Sequence, residues 1–256
     1  MRCGGRIAAA CVVAAVCNLA CFSAWAATDE VVPAASTADD VLLAQPTYLL
    51  FSSTDLWRHG GFAHGGMLWA PSGLDREGPV LKIVFGGGIY HYISGALGST
   101  DVLGETVAAS ILPGWRFVHG DLTITAFLGL DLQRHRLTPD DRSAGLRGNY
   151  AGARAGFELW YQPTPMTMIA ADASISTVGP SYNARVAAGW RVFDMFYVGP
   201  EAAAFAADDN YKQIRAGFHL TGLRIGVFEW SAGLGWSSDT DERSGFYAKL
   251  SVFTRR

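Results

Sequence analysis

The chain has 256 residues, half of them hydrophobic and only 17% charged, with a mean hydropathy of +0.16; a disordered chain would show the opposite balance. A formal net charge of −3 leaves no positive excess to neutralise phosphates and excludes a dedicated nucleic-acid binder. Thirty glycines without a Gly-X-Y period, in so apolar a chain, make a membrane protein a serious reading from the outset.

The first element is an export signal over residues 1–26. Arg2 and Arg6 form a positive start, Ile7 to Phe22 is apolar apart from Asn18, and Ala24-Trp25-Ala26 offers a small-x-small cleavage site. All four cysteines (Cys3, Cys11, Cys17 and Cys21) lie inside it. Cleavage after Ala26 would leave no thiol for a disulfide, a nucleophile or a zinc site. Residues 27–46, rich in Ala, Asp, Pro and Thr, read as a flexible periplasmic leader. Beyond the signal no apolar run reaches the ~18 residues of a spanning helix.

From Tyr48 onward the period is two. In residues 121–133, Leu122, Ile124, Ala126, Leu128, Leu130 and Leu132 share one face, while Asp121, Thr123, Thr125, Phe127, Gly129, Asp131 and Gln133 share the other. The same alternation recurs around Ala151–Leu159, Ile169–Ile175, Ala184–Trp190, Ile214–Leu220, Phe228–Leu234 and Phe246–Val252. Turn signals such as Arg58-His59-Gly60-Gly61, Gly98-Ser99-Thr100-Asp101, Gly179-Pro180 and Asp208-Asp209-Asn210 separate the runs. Twelve strands are predicted, at 47–57, 61–70, 79–93, 105–118, 121–135, 148–162, 165–178, 180–192, 194–207, 210–221, 223–236 and 243–254. An even number places both termini on the periplasmic side.

Alternation alone does not separate a soluble barrel from a membrane one. Three features favour the membrane. The polar face mixes Lys82, Arg116, Arg154, Arg185, Arg191, Arg215 and Lys249 with Asp131, Glu158, Asp172, Glu201 and Glu229 among many glycines and serines, as a narrow lumen would. Aromatic residues fall near strand ends (Tyr48, Trp57, Trp69, Trp115, Trp160, Tyr161, Trp190, Trp236, Phe253), as interfacial girdles do. The strands are also long, and an export signal precedes them. The expected fold is an all-β, antiparallel up-and-down transmembrane barrel of about 12 strands, in the bacterial outer membrane and in contact with its lipid.

Two stretches carry a family resemblance: Tyr197-Val198-Gly199-Pro200-Glu201 followed by Asp209 to Gly222, and Gly88-Ile89-Tyr90-His91-Tyr92. They resemble the BcsS-type cellulose biosynthesis proteins of bacteria, and the likeness runs over most of residues 48–253. It implies an outer-membrane protein associated with cellulose production. It implies a pathway and not a mechanism, and no catalytic residues are carried over.

Chemical motifs are sparse. Gly86-Gly87-Gly88 lies in a strand with no helix following, so it reads as close packing and not as a phosphate loop. No Gly-x-Ser-x-Gly elbow, His-Glu-x-x-His pair or convincing metal-ligand spacing occurs. No cofactor is expected, and the chain is read as not an enzyme. The charged lumen residues have two readings, an ion-paired filling or a surface for sugar. Tyr90, Tyr92, Tyr150, Tyr197 and Tyr211 could stack on pyranose rings. The candidate lumen and glucan-contacting set is Tyr90, Tyr92, Arg116, Asp131, Arg154, Glu158, Asp172, Arg185, Arg191, Tyr197, Glu201, Arg215 and Glu229. The functional expectation is a barrel that assists export or surface organisation of the glucan, with cellulose or other secretion components as partners. The alternatives are a poreless scaffold of a secretion complex, or a lipid A-modifying hydrolase using His219 or His64.

Overall fold

A computed structural model describes residues 45–207 and 211–256. The expected export signal, nearly all of the expected leader and the predicted turn at Asp208–Asn210 lie outside these residues.

The period-two segments form twelve strands: β1 (Tyr48–Trp57), β2 (Gly60–Trp69), β3 (Gly78–Ser94), β4 (Thr100–His119), β5 (Leu122–Thr138), β6 (Gly148–Thr164), β7 (Thr167–Ser176), β8 (Ser181–Val192), β9 (Phe196–Ala207), β10 (Tyr211–Ile225), β11 (Phe228–Asp239) and β12 (Ser244–Arg255). Each pairs antiparallel with its neighbours in sequence, and β1 pairs with β12 from Leu49↔Arg255 to Trp57↔Tyr247. Closure leaves no edge strand, so the backbone donors and acceptors of the wall are satisfied within it, as hydrocarbon requires.

The faces are inverted relative to a soluble protein. On β5, Leu130 and Leu132 are 63% and 50% exposed, while Asp131 between them is 0% exposed. Phe85, Val107, Ile175, Ile214, Phe218 and Leu250 point outward in the same way. A patch of that extent in water would aggregate; around a barrel it is the lipid-facing belt.

The end that carries Tyr48 and Arg255 is called here the terminal end, and the opposite one the distal end. Four of the five connections at the terminal end are two or three residues long (120–121, 165–166, 193–195, 226–227), whereas the distal end carries the long 139–147 loop. Short periplasmic turns and longer outer loops are the outer-membrane pattern. The even strand count puts the start of β1 and the end of β12 at the same end of the barrel.

The structure departs from the predicted elements in three respects. β10 does not end at Thr221. It continues to Ile225 across a register shift between Leu220 and Leu223. Gly222 takes φ +85° there, a conformation open to glycine that lets the strand bulge and go on. β4 and β5 are longer than predicted, because polar residues such as Arg134 and Arg136 stay paired beyond the apolar belt. Finally, Trp57, Trp160 and Phe253 are not girdle residues: Trp57 faces the distal lumen beside Arg215. Trp160 and Phe253 are buried inside the barrel, as is Phe127, because their positions in the alternation point inward, where apolar side chains cluster around them.

Candidate functional site

The interior is layered along the barrel axis. At the terminal end it is closed by an apolar floor. The β2–β3 connection, residues 70–77, folds back into the opening and places Leu74 against Leu49, Leu68, Val80, Leu112, Phe127 and Phe253. Its backbone is tied down as well. Leu74 N–H donates to the Pro46 carbonyl at 2.9 Å, and the Arg116 guanidinium donates to the Leu74 carbonyl. Arg255 reaches Asp75 at 3.4 Å. Beside this cap, Trp160, Met168, Ala170 and Tyr197 form a second apolar group. The Tyr197 hydroxyl accepts from Gln162 Nε2 at 2.6 Å.

The middle of the barrel is filled by paired charges. Asp131 accepts from Ser110, Gln133, Arg154 and Ser176 at 2.5–2.9 Å. Lys82 donates to Glu158. Arg185 donates through Nε and Nη2 to Glu201 Oε2 at 2.9 and 2.6 Å, and its Nη1 lies 3.9 Å from Asp172. Arg215 donates to both oxygens of Asp55 at 2.8 and 2.7 Å. Its guanidinium packs 4.6–5.2 Å from the ring centres of Phe205, Tyr247 and Trp57. All of these charged residues are buried. Charges removed from water are tolerated when opposite signs are close and hydrogen-bonded, and the interleaved signs on the polar face provide that. The free space among Lys82, Arg154, Glu158, Asp172 and Asn183 is about 20 Å³, roughly that of a single water.

Above this plug the distal end opens into a cup of about 320 Å³, at the lower end of the range of small-molecule sites. Its wall is aromatic. Tyr90 and Tyr92 stack at 6.1 Å with 24° between their planes, and Trp57 and Tyr211 line the same space. Gly104 on β4 makes room for Tyr90: a side-chain carbon there would meet the Tyr90 ring at 2.3 Å. The polar lining is His59, His91, Gln133, His135, Asp141 and Arg243. His135 Nε2 and Nδ1 contact Gln133 Oε1 at 2.9 Å and Thr106 Oγ1 at 3.0 Å. Gln133 in turn donates to Asp131, so the charged layer below holds the floor of the cup in place. His59 is held below the usual histidine value by its burial and by the charges of Arg243 and Arg58.

The 139–147 loop is fastened over one side of the cup through Asp141. That carboxylate accepts from Ser143 Oγ at 2.6 Å, from Ser143 N–H at 2.9 Å and from the Tyr92 hydroxyl at 3.0 Å. The Ser143 hydroxyl, then Ser94, the Ser143 amide and Tyr92, hold the Asp141 carboxyl below the ordinary carboxylate range, against a smaller opposing effect of burial. A depressed folded-state value means the fastening is fully present above the unfolded carboxylate range and is lost only as pH falls below it. The protection factors of the amides of residues 140–147, taken relative to the intrinsic rate at each pH, should therefore hold down to pH 4, while Asp141→Asn should lower them at neutral pH.

The thirteen candidates thus separate by height. Tyr90 and Tyr92 stand in the cup; Asp131, Arg154, Glu158, Asp172, Arg185, Glu201 and Arg215 make up the charged middle. Arg116, Tyr197 and Glu229 lie buried toward the terminal end, and Arg191 sits at that rim with Nη2 3.2 Å from the Asp194 carbonyl. Asp55, Trp57 and the Asp141 loop are absent from the sequence-derived set. Asp55 was accessible to it, since Ser53-Asp55-Trp57 continues the inward alternation of β1. As for the two histidines, both nitrogens of His219 are engaged, with Thr221 Oγ1 at 2.9 Å and the Ala188 carbonyl at 3.1 Å. His64 is buried beside Phe51 and Phe62. Neither histidine contacts a serine hydroxyl among the described residues.

Comparison with solved structures returns outer-membrane barrels. The chain is 10% identical to the CymD monoaromatic hydrocarbon channel, covering 83% of this chain and 89% of that one, with a TM-score of 0.50. The KdgM porin is 9% identical, over 80% and 98% of the two chains, with a TM-score of 0.41. LpxR from Salmonella typhimurium is 11% identical, over 81% and 99%, with a TM-score of 0.43. At such identities the likeness is one of fold. No curated protein sequence matches the chain. Residues 49–256, the whole barrel, match the family described as "Cellulose biosynthesis protein BcsS", and the chain belongs to that family.

Proposed function

We propose that this barrel holds a β-glucan at the outer face of the outer membrane, in its distal cup, and does not conduct the polymer through its lumen. The observation that carries the reading is the layering: an aromatic cup open at one end stands on a charged layer and an apolar floor. A glucan has flat apolar ring faces edged by hydroxyls. Stacked tyrosines with amide, imidazole and carboxylate groups around them match both features. The family membership supplies the polymer, and the outer-membrane barrel pattern of short turns at the terminal end supports an outward-facing cup. The charged residues then serve to keep the cup rigid, and no step of chemistry is required of them.

Titrating detergent-solubilised barrel with cello-oligosaccharides of increasing length, followed by calorimetry, tests this. Saturable binding is expected. Tyr92→Ala should weaken it by about 2 kcal/mol, roughly thirtyfold in Kd. Arg191→Ala, at the opposite rim, should leave it unchanged. Absence of saturable binding, or equal weakening by both variants, would reject the reading.

A further inference from the structure

On the outer wall, β5 changes character at one point. Leu128, Leu130 and Leu132 form its lipid-facing ridge, and the next two outward positions toward the distal end are Arg134 and Arg136, both exposed. At about 3.4 Å per residue along a tilted strand, Arg134 stands within one headgroup depth of the last leucine. Its outward neighbours are Val107 on β4 and Asn149 on β6, and it pairs with no acid among the described residues. Arg136 is only 4.0 Å from Glu105, an exposed and loose contact. The adjoining loop adds Arg142 and Arg147, both exposed, and Arg147 shares Asp140 at 3.3 Å. Four arginines thus meet two acids where the hydrocarbon belt ends. Guanidinium groups favour phosphate through paired, charge-assisted hydrogen bonds, and at this height the available phosphates belong to outer-leaflet lipid.

We propose that Arg134 and Arg136 form a binding site for a phosphorylated, multiply acylated glycolipid of the outer leaflet, of the lipid A type. Its acyl chains lie along Leu128, Leu130 and Leu132, and its phosphate is held by the two guanidinium groups. The site is separate from the cup and does not depend on glucan binding; it rests on the outward orientation of the distal end. It would anchor the barrel in the outer leaflet next to the loop that carries Asp141.

The test uses the whole mature chain in mild detergent, with bound lipid counted by native mass spectrometry. Three probes are added separately: diphosphoryl lipid A, the same lipid with its phosphates removed, and inorganic phosphate. The expected result is retention of diphosphoryl lipid A at least tenfold tighter than of the dephosphorylated form, with no retained inorganic phosphate. That margin, about 1.4 kcal/mol, is of the size that loss of a charge-assisted hydrogen bond brings. Arg134→Gln with Arg136→Gln should erase the preference while leaving the weak binding of the dephosphorylated lipid. Equal retention of the two lipids by the unaltered protein would overturn the proposal, whatever the variant does. So would full retention by a folded double variant, and retention of phosphate alone would reduce the site to an ion site. The wild-type comparison stands by itself if the double variant does not fold.

Discussion

Replacing Arg185 by alanine should destabilise the barrel by about 3–5 kcal/mol, the cost of breaking a buried ion pair from one side. Arg185 donates twice to Glu201 and faces Asp172. Without it Asp172 and Glu201 would lose their shared guanidinium in a region closed to water, with the Tyr247 hydroxyl donating to Glu201 at 2.8 Å and Lys249 a remaining cation nearby. The measurement is the urea midpoint for unfolding from lipid vesicles, read from tryptophan fluorescence. Replacing the whole group by neutral shapes (Arg185→Met with Asp172→Asn and Glu201→Gln) should recover most of the loss, because the penalty belongs to the unpaired charge and not to the missing attraction. A loss under about 1 kcal/mol for the single variant, the size seen for solvated pairs, would mean that the middle of the barrel is wet, and the closed-lumen reading would fail with it.

The second large effect is expected at the floor. Leu74→Ala should cost about 2–5 kcal/mol, the range for emptying a buried leucine site. Leu74 is the point at which the 70–77 connection enters the apolar cluster, so the variant should also release that connection to protease in detergent. It should not produce current in a planar bilayer. Floor and charged middle close the lumen in series, and the ion pairs of Lys82, Arg185 and Arg215 remain when the floor is breached. Unaltered protein should likewise show no steady conductance, with or without cello-oligosaccharides. A stable open channel in the unaltered barrel would contradict the reading of the cup as a one-ended site.

Much of the architecture was legible before the structure. The alternation around Leu128–Leu132 and Ile214–Leu220 requires a two-faced strand, and its recurrence through the chain yields twelve. The sign interleaving of Lys82, Asp131, Arg154, Glu158, Asp172 and Arg185 anticipated paired charges inside. Legibility failed where one residue serves two geometries. Trp160 and Phe253 sit near strand ends, where girdle aromatics belong, yet they face inward because the pleat at their positions points that way. The break predicted at Gly222, between strands 210–221 and 223–236, is instead a bulge, since the strand keeps pairing as far as Ile225.

The candidate site was less accessible. Tyr90, Tyr92 and Tyr211 were visible as aromatics on or near the polar face, but nothing in their spacing distinguishes them from Tyr197, which is buried near the opposite end. The height of a residue along the barrel depends on strand tilt and on register with both neighbours, and those are set by pairing across the whole sheet.

What the sequence by itself determined is the solvent inversion, because a period of two assigns every side chain to one face or the other and the composition of each face names its surroundings. Only the tertiary structure decided what lies at each level inside. Arg215 reaches Asp55 across 160 positions of chain, and Leu74 closes a floor built from six strands. Contacts of that range exist only once the ring of twelve strands has closed and its register has fixed which side chains share a height.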